Sequence, residues 1–486
     1  MAKKFYITTS IPYVNAAPHL GSALDSLYAD VLARFNRARG RDVRFLTGTD
    51  EHGVKIARAA ALSKRAPQGF ADANSAKFRG LREALNLSWD DFIRTSDKAR
   101  HYPGAQKLWR ALAAKGDVYK KAYRGLYCVG HEAFVTEKDL ENGVCRDHQK
   151  KPEVIEEENW FFRLSAYGAA IAGKIASGEL RIVPSSRANE ILSLIREGLQ
   201  DVSFSRPRKD LSWGVPVPDD DTQTMYVWAD ALANYISALG YGSADETLFK
   251  TYWPADVQVI GKDNLRFHAA IWAGMLLSAG LPLPRALFVH GFLNVEGQKI
   301  SKSLGNVIDP YALVKKFGID PVRYYLLREI VPAEDGDWAE QKFVERYNAD
   351  LANGLGNFAS RVLTLAEKHG VFSDGGVRDL APEVGEAIEH AKVDVAVALE
   401  EFRFNEALAG LWRLISAGDK YVNDRKPWAE KDNTETLVNA VTLLDNVAAM
   451  LSPFLPQTAK KITDSIQWGE RGAFSVRRIA ALFPRR

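Results

Sequence analysis

Only two of the 486 residues are cysteine, Cys128 and Cys145. Two thiols cannot form the disulfide framework of a small secreted fold, and a metal site or plain burial suits them better. No apolar run approaches the roughly 18 residues that a membrane span needs. The start, Met1-Ala2-Lys3-Lys4, leads straight into Phe5-Tyr6-Ile7-Thr8-Thr9 without an apolar signal core. A cytoplasmic protein with no membrane partner is therefore expected. Charge of one sign is also scarce: the formal net charge is +3. That value does not announce a nucleic-acid binder, yet a local basic patch still carries phosphate contacts in a nearly neutral chain. Low-complexity tracts and internal repeats are missing as well. What remains is ordinary globular composition, with length enough for about three domains.

The first half alternates two periodicities. Phe5–Thr9 reads as a strand, and Pro18 opens a helix in which Leu20, Leu24, Leu27, Val31 and Phe35 recur at spacings of three and four, ending at Gly40. Val43–Leu46 is the next strand, with a helical stretch from about Val54. This rhythm predicts βαβ units and a parallel sheet. From Val118 to about Asp221 the texture changes to short strands, many charges and a Cys/His cluster, which reads as an insertion. The rhythm then returns with strands at Val257–Ile260 and Ala286–Val289 around a helix at Leu265–Ser278. From about Phe343 apolar residues recur at helical spacing through Leu351–Leu365, Ala396–Ile415 and Leu437–Leu451, the pattern of a helix bundle.

Two short motifs stand at nucleotide-binding positions. Pro18-His19-Leu20-Gly21 lies at a strand-to-helix turn, where backbone N–H groups and the positive helix end face an anion. Gly21 permits close backbone approach, and His19 has a donor for a phosphate oxygen. Taken alone, a histidine there is as readily a cap or a surface residue. Lys299-Ile300-Ser301-Lys302-Ser303 lies in a polar loop after Val289-His290-Gly291-Phe292. Two ammonium groups flanked by hydroxyls suit a triphosphate; in isolation the pentapeptide also reads as a solvated charged turn.

Together, in this order and at these places, the motifs resemble the HIGH and KMSKS signatures of class I aminoacyl-tRNA synthetases. One position departs from the pattern: Ser22 stands where the family usually has a second histidine. Further segments sharpen the resemblance to methionyl-tRNA synthetases, namely Ser10–Asn15, Thr47-Gly48-Thr49-Asp50-Glu51-His52-Gly53, Tyr226-Val227-Trp228-Ala229-Asp230-Ala231 and Gly261-Lys262-Asp263.

That resemblance implies a Rossmann-type parallel sheet split by an inserted connective domain and followed by an all-α anticodon-binding domain. The implied boundaries are 1–116 and 225–292 for the two catalytic halves, 117–224 for the insertion, 293–342 for a linker and stem-contact region with the KMSKS-like loop, and 343–486 for the helical domain. Methionine would be lined by Ile11, Tyr13, Trp228, Tyr235, His268 and Trp272, with Asp50 pairing its ammonium. Aromatic rings suit a polarizable thioether, and a hydroxyl or imidazole N–H is a weak donor to it. ATP, with Mg2+, would be held by Pro18, His19, Gly21, Ser22, Asp263, Gly291, Lys299, Ser301 and Lys302; of these His19, Lys299 and Lys302 would stabilise the reacting phosphates. Asn357, Arg361 and Trp428 would read the CAU anticodon of tRNA(Met), whose acceptor end the catalytic half would charge, usually on the 2′-hydroxyl in this class.

Cys128-x2-His131 and Cys145-x2-His148 have the spacing with which a turn presents two ligands to one metal. In the family such knuckles often hold structural zinc, mostly on four cysteines. No further dimerisation module is visible after the bundle, so a monomer is expected. Two rival functions remain: a class I synthetase for another amino acid, and a tRNA-binding paralogue without catalysis, which Ser22 invites.

Overall fold

The computed structural model describes residues 2–130, 133–135, 139–147, 149–300, 305–369, 380–430, 432–469 and 474–486. It divides into two compact units, one of residues 1–18, 39–82 and 88–290, the other of residues 19–38, 83–87 and 291–486.

The first unit is built on a six-stranded sheet. Its strands are β1 (Lys4–Thr9), β2 (Asp42–Thr49), β3 (Asp91–Arg94), β4 (Arg181–Val183), β5 (Val257–Gly261) and β6 (Ala286–His290), in spatial order β3-β2-β1-β5-β6-β4. All pairs are parallel. Five consecutive residues of β1, and all of β5 and β6, are buried on both faces, as a helix-covered parallel sheet requires. The chain winds outward from β1 through β2 to β3, and outward in the opposite direction from β5 through β6. The sheet therefore has a topological switch point between β1 and β5, and such a sheet opens a ligand crevice beyond the carboxyl ends of those strands.

The stretch 117–224 contains a four-stranded antiparallel sheet whose centre is a long ladder from Val118↔Phe162 to Tyr127↔Glu153. It also contains β4, which pairs with β6 at the edge of the central sheet. A region read from its texture as an insertion thus supplies one strand of the main sheet.

The second unit is mostly helical. Its helices include Leu24–Ala38, Ile319–Arg328, Asn357–His369, Pro382–Glu400, Phe404–Arg425 and Thr434–Leu451. Leu351, Leu355, Val362, Leu408, Leu411, Leu444 and Val447 form its fully buried apolar seams. A buried arginine joins three parts of this unit. Arg323 Nη2 lies 2.8 Å from Asp30 Oδ2, and the remaining donors reach the carbonyls of Leu85, Pro453 and Phe454 at 2.7–3.0 Å. Burial pushes the guanidinium pKa down, opposed by Asp30. Among the described residues no helix is long and apolar enough to cross a membrane.

Candidate active site and anticodon-reading surface

At the switch point of the first unit, the backbone past β1 pairs with the backbone past β2. Asp50 N–H donates to Pro12 O at 2.9 Å and Val14 N–H to Asp50 O at 3.2 Å, so Tyr13 and Asp50 lie side by side. Asp50 is almost wholly buried. Tyr13 meets Trp228 edge-on at 6.5 Å between ring centres, and Trp228 is stacked on Phe267 at 3.5 Å. Ile11 packs against the same apolar cluster.

Beyond β5 the helix is not a regular α-helix. Phe267–Trp272 is wound as a π-helix, a rare form that is frequent at functional sites. His268 from this segment faces Tyr235, with His268 Nε2 and the Tyr235 hydroxyl 2.6 Å apart, while His268 Nδ1 lies 2.9 Å from Asn264 O. A carbonyl only accepts, so Nδ1 carries the proton of the neutral ring and Nε2 accepts from the Tyr235 hydroxyl. The expected weak donors to a thioether are therefore engaged within the protein. The aromatic faces are the part of the lining suited to sulfur. Trp272 packs on Tyr235 at 5.8 Å, and the buried indole nitrogens of Trp228 and Trp272 have no hydrogen-bond partner among the described residues.

Asp263 sits in the single turn that follows β5. A Cβ on Gly261 would come within 2.8 Å of Asp263 Oδ1, so glycine leaves that carboxylate its place.

In the second unit, His19 caps the helical segment beginning at Leu20. Its Nδ1 accepts from Ser22 N–H at 3.2 Å, while the Ser22 hydroxyl accepts from His19 N–H at 2.9 Å and donates to His19 O at 2.7 Å. A Cβ on Gly21 would lie 3.1 Å from His19 Nδ1, so glycine keeps the ring in this pose. Gly291 has a structural requirement too: a Cβ there would stand 1.9 Å from Glu334 O. Lys299 belongs to a two-residue strand opposite Asn294; Ser301 and Lys302 lie outside the described residues.

Arg361 and Trp428 are brought together on the helical bundle. The guanidinium lies over the indole at 4.9 Å, and Asp419 at 3.2 Å and Asn423 at 2.6 Å fix its direction. Lys426, in the left-handed region at φ 49°, ends the helix Phe404–Arg425, and Pro427 prevents its continuation. The turn leaves Trp428 54% exposed. Asn357, one helical turn before Arg361, lines a cavity of about 420 Å³ with Asn353, Ser360, Phe483 and Arg485.

The model of the class I tRNA synthetase (M) family matches residues 5–141 and 135–363, and that of the anticodon-binding domain of tRNA ligases matches residues 386–477. A methionine–tRNA ligase of Brucella suis is 42% identical over 479 residues, covering 95% of this chain and 91% of that protein. The ligase of Thermotoga maritima is 42% identical, with 96% and 76% covered. A solved Mycobacterium tuberculosis methionyl-tRNA synthetase in complex with methionyl-adenylate superposes with a TM-score of 0.93 at 38% identity, covering 99% of this chain and all of that one. The chain belongs to the methionine–tRNA ligase family. Its fold class is that of the family, a class I catalytic sheet followed by a helical anticodon-binding domain.

Sequence reasoning missed Phe267, although it directly precedes His268; an apolar residue in a helix carries no sign of the ring it will stack on. It also passed over His52, His101 and Asp230 as a group. Cys128 and Cys145 are both buried and gathered into one small cluster with Val135; neither forms a disulfide. They stand on separate hairpins, with a turn after Cys145 closed by Gln149 N–H to Cys145 O at 2.8 Å. His131 and His148 lie outside the described residues.

Proposed function

We propose that the protein activates methionine with ATP and transfers it to tRNA(Met). The observation that carries this reading is the convergence of Tyr13, Asp50, Trp228, Tyr235, His268 and Trp272 at the switch point of the sheet, in a chain of this family.

The methionine carboxylate attacks the α-phosphorus of ATP in line. An O–P bond forms, the bond to the bridging oxygen breaks, and pyrophosphate leaves with its electron pair, giving methionyl-adenylate. A hydroxyl of the terminal tRNA adenosine then attacks the methionyl carbonyl, and AMP leaves. Neither step needs a nucleophilic side chain, so catalysis consists of positioning and charge stabilisation. Asp50 pairs with the substrate ammonium, and the aromatic rings hold the thioether. His19 donates to a phosphate oxygen from Nε2, because its Nδ1 accepts from Ser22 N–H. Pro18, Gly21, Asp263 and Gly291 frame the nucleotide, and Lys299, Ser301 and Lys302 contribute cations and a hydroxyl. Magnesium enters as part of the ATP complex.

Asn357, Arg361 and Trp428 read the CAU anticodon, an exposed indole and a directed guanidinium being the groups that stack on and hydrogen-bond to splayed bases. Cys128, His131, Cys145 and His148 hold a structural zinc; two buried cysteines on adjoining hairpins suit this. We place the protein in the cytoplasm and read it as a monomer.

The test is ATP–pyrophosphate exchange with each of the twenty amino acids. Exchange with methionine alone, lost in Lys302→Ala, supports activation and pocket together. Exchange with another amino acid overturns the pocket, and none with any, from folded tRNA-binding protein, overturns catalysis. Metal analysis of the purified protein and of Cys145→Ser tests the zinc site independently of activity.

A further inference from the structure

We propose that Asp230 is a positioning residue for methionine, acting through His52 and His101. The inference rests on the methionine reading of the pocket.

Asp230 lies on the short helix Val227–Ala231 and is completely buried. Its Oδ2 is 2.6 Å from His52 Nδ1 and its Oδ1 is 2.7 Å from His101 Nε2. Both imidazoles are buried as well. On its far side His101 Nδ1 meets Ser237 Oγ at 2.9 Å, and His52 Nε2 faces the Tyr102 hydroxyl at 3.4 Å. These contacts form a consistent proton pattern. Each ring turns one nitrogen to the carboxylate, which accepts its N–H, and the other nitrogen to a hydroxyl. Burial pushes the Asp230 pKa up, but the two imidazoles outweigh it and hold it at about 2, so the acceptor stays ionised at neutral pH.

The place of the three residues in the chain gives the network its consequence. His52 is two residues past Asp50, the proposed ammonium acceptor. Asp230 is two residues past Trp228, a proposed wall of the thioether pocket. The loop that carries Asp50 and the helix that carries Trp228 come from distant parts of the sequence, and the carboxylate ties them at 2.6 Å. Trp213 strengthens the tie: its indole N–H donates to Glu51 O, and its ring meets His52 edge-on at 5.1 Å. An apolar trio of equal volume would fill the space without fixing one register, whereas a buried, fully satisfied polar network specifies a single arrangement. Asp230 therefore sets the distance between the charged and the aromatic ends of the amino-acid site while touching no substrate itself.

The experiment is steady-state pyrophosphate exchange, varying methionine and ATP separately, with a thermal melt on each variant. Asp230→Asn is expected to raise KM for methionine about 10-fold, the order of one charge-assisted hydrogen bond, with KM for ATP changed less than about 2-fold. The amide nitrogen of asparagine occupies the place of an imidazole Nδ1, so His52→Asn keeps the donor and is expected to stay within about 3-fold of the parent, while His52→Leu behaves like Asp230→Asn. An unchanged KM for methionine in Asp230→Asn overturns the proposal. So does equal damage from His52→Asn and His52→Leu, a comparison that stands even where Asp230→Asn does not fold. A parent enzyme that exchanges with an amino acid other than methionine instead overturns the pocket reading beneath it.

Discussion

Ser22 holds His19 by both ends of its backbone: the hydroxyl accepts from His19 N–H at 2.9 Å and donates to His19 O at 2.7 Å, while Ser22 N–H donates to the ring at Nδ1. The residue that departs from the family signature thus serves the histidine that keeps it. An accepting Nδ1 places the ring proton on Nε2, the nitrogen that carries the N–H donor. Ser22→Ala removes the hydroxyl but not the amide. Pyrophosphate exchange is expected to lose about 10-fold in kcat/KM for ATP, the order of one hydrogen bond at 1.4 kcal/mol. Ser22→His, which restores the usual residue, is expected to raise kcat by less than about 100-fold; a larger gain would mean that serine is a defect and not a substitute.

The Tyr235 hydroxyl has a defined role in the same way. It donates to His268 Nε2, whose ring is fixed by Asn264 O. Tyr235→Phe leaves a buried imidazole nitrogen unsatisfied, at a cost of about 1–3 kcal/mol. The expected result is a rise of about 10-fold in KM for methionine with little change in KM for ATP, read from the same exchange assay. Equal effects on both substrates would place the tyrosine outside the amino-acid site.

The parts of the candidate site that the sequence suggests carry local signals. Pro18–Ser22 is one turn and Thr47–Gly53 one strand end, and their chemistry is written in adjacent letters. The parallel order β1-β2 followed from strand–helix alternation. What stayed hidden depends on distance along the chain. Asp230 meets His52 across 178 residues and His101 across 129, and no periodicity links them. β4 is three residues long within a charged, irregular stretch, too short to show a pattern. The π-helical winding of Phe267–Trp272 is likewise invisible, since the tertiary setting and not the residue types selects it.

Trp428 offers an exposed ring face whose position is fixed by the turn at Lys426–Pro427 and by the Arg361 guanidinium 4.9 Å away. Stacking one base on such a ring contributes about 1–3 kcal/mol. Trp428→Ala is expected to raise the tRNA Kd by about 10–100-fold and to leave methionine-dependent pyrophosphate exchange unchanged, because that reaction needs no tRNA. Filter binding and exchange on one preparation separate the two effects. Loss of both would indicate misfolding, and loss of neither would remove Trp428 from the tRNA surface.

Asp230 also gives the acid limit of stability a sign. Its folded-state pKa, about 2, lies below the ordinary aspartate value of 3.8. The folded form thus binds fewer protons here than the unfolded chain. This contribution is fully present above pH ~4 and is lost as pH falls towards about 2. Urea unfolding of the parent between pH 5 and 2 is expected to show decreasing stability, with a shallower decrease in Asp230→Asn. Identical slopes would mean that this carboxylate is not preferentially ionised in the folded state.

Arg323 and Asp30 form a fully buried ion pair in the second unit, both side chains being inaccessible. Desolvating two charges nearly cancels their attraction, so the pair adds little net stability over well-packed apolar residues. Removing one partner is different. Arg323→Leu would take the buried guanidinium from the Asp30 carboxylate, which Arg34 also meets at 2.9 Å, and would strip a donor from the carbonyls of Leu85, Pro453 and Phe454. The expected cost is about 3–5 kcal/mol, measurable by denaturant unfolding. The double variant Arg323→Leu with Asp30→Leu removes the stranded charge and is expected to recover part of that loss, although the three carbonyls stay unsatisfied. No recovery would assign the cost to those carbonyls, and a cost near zero in the single variant would show that the Asp30 carboxylate is compensated without Arg323.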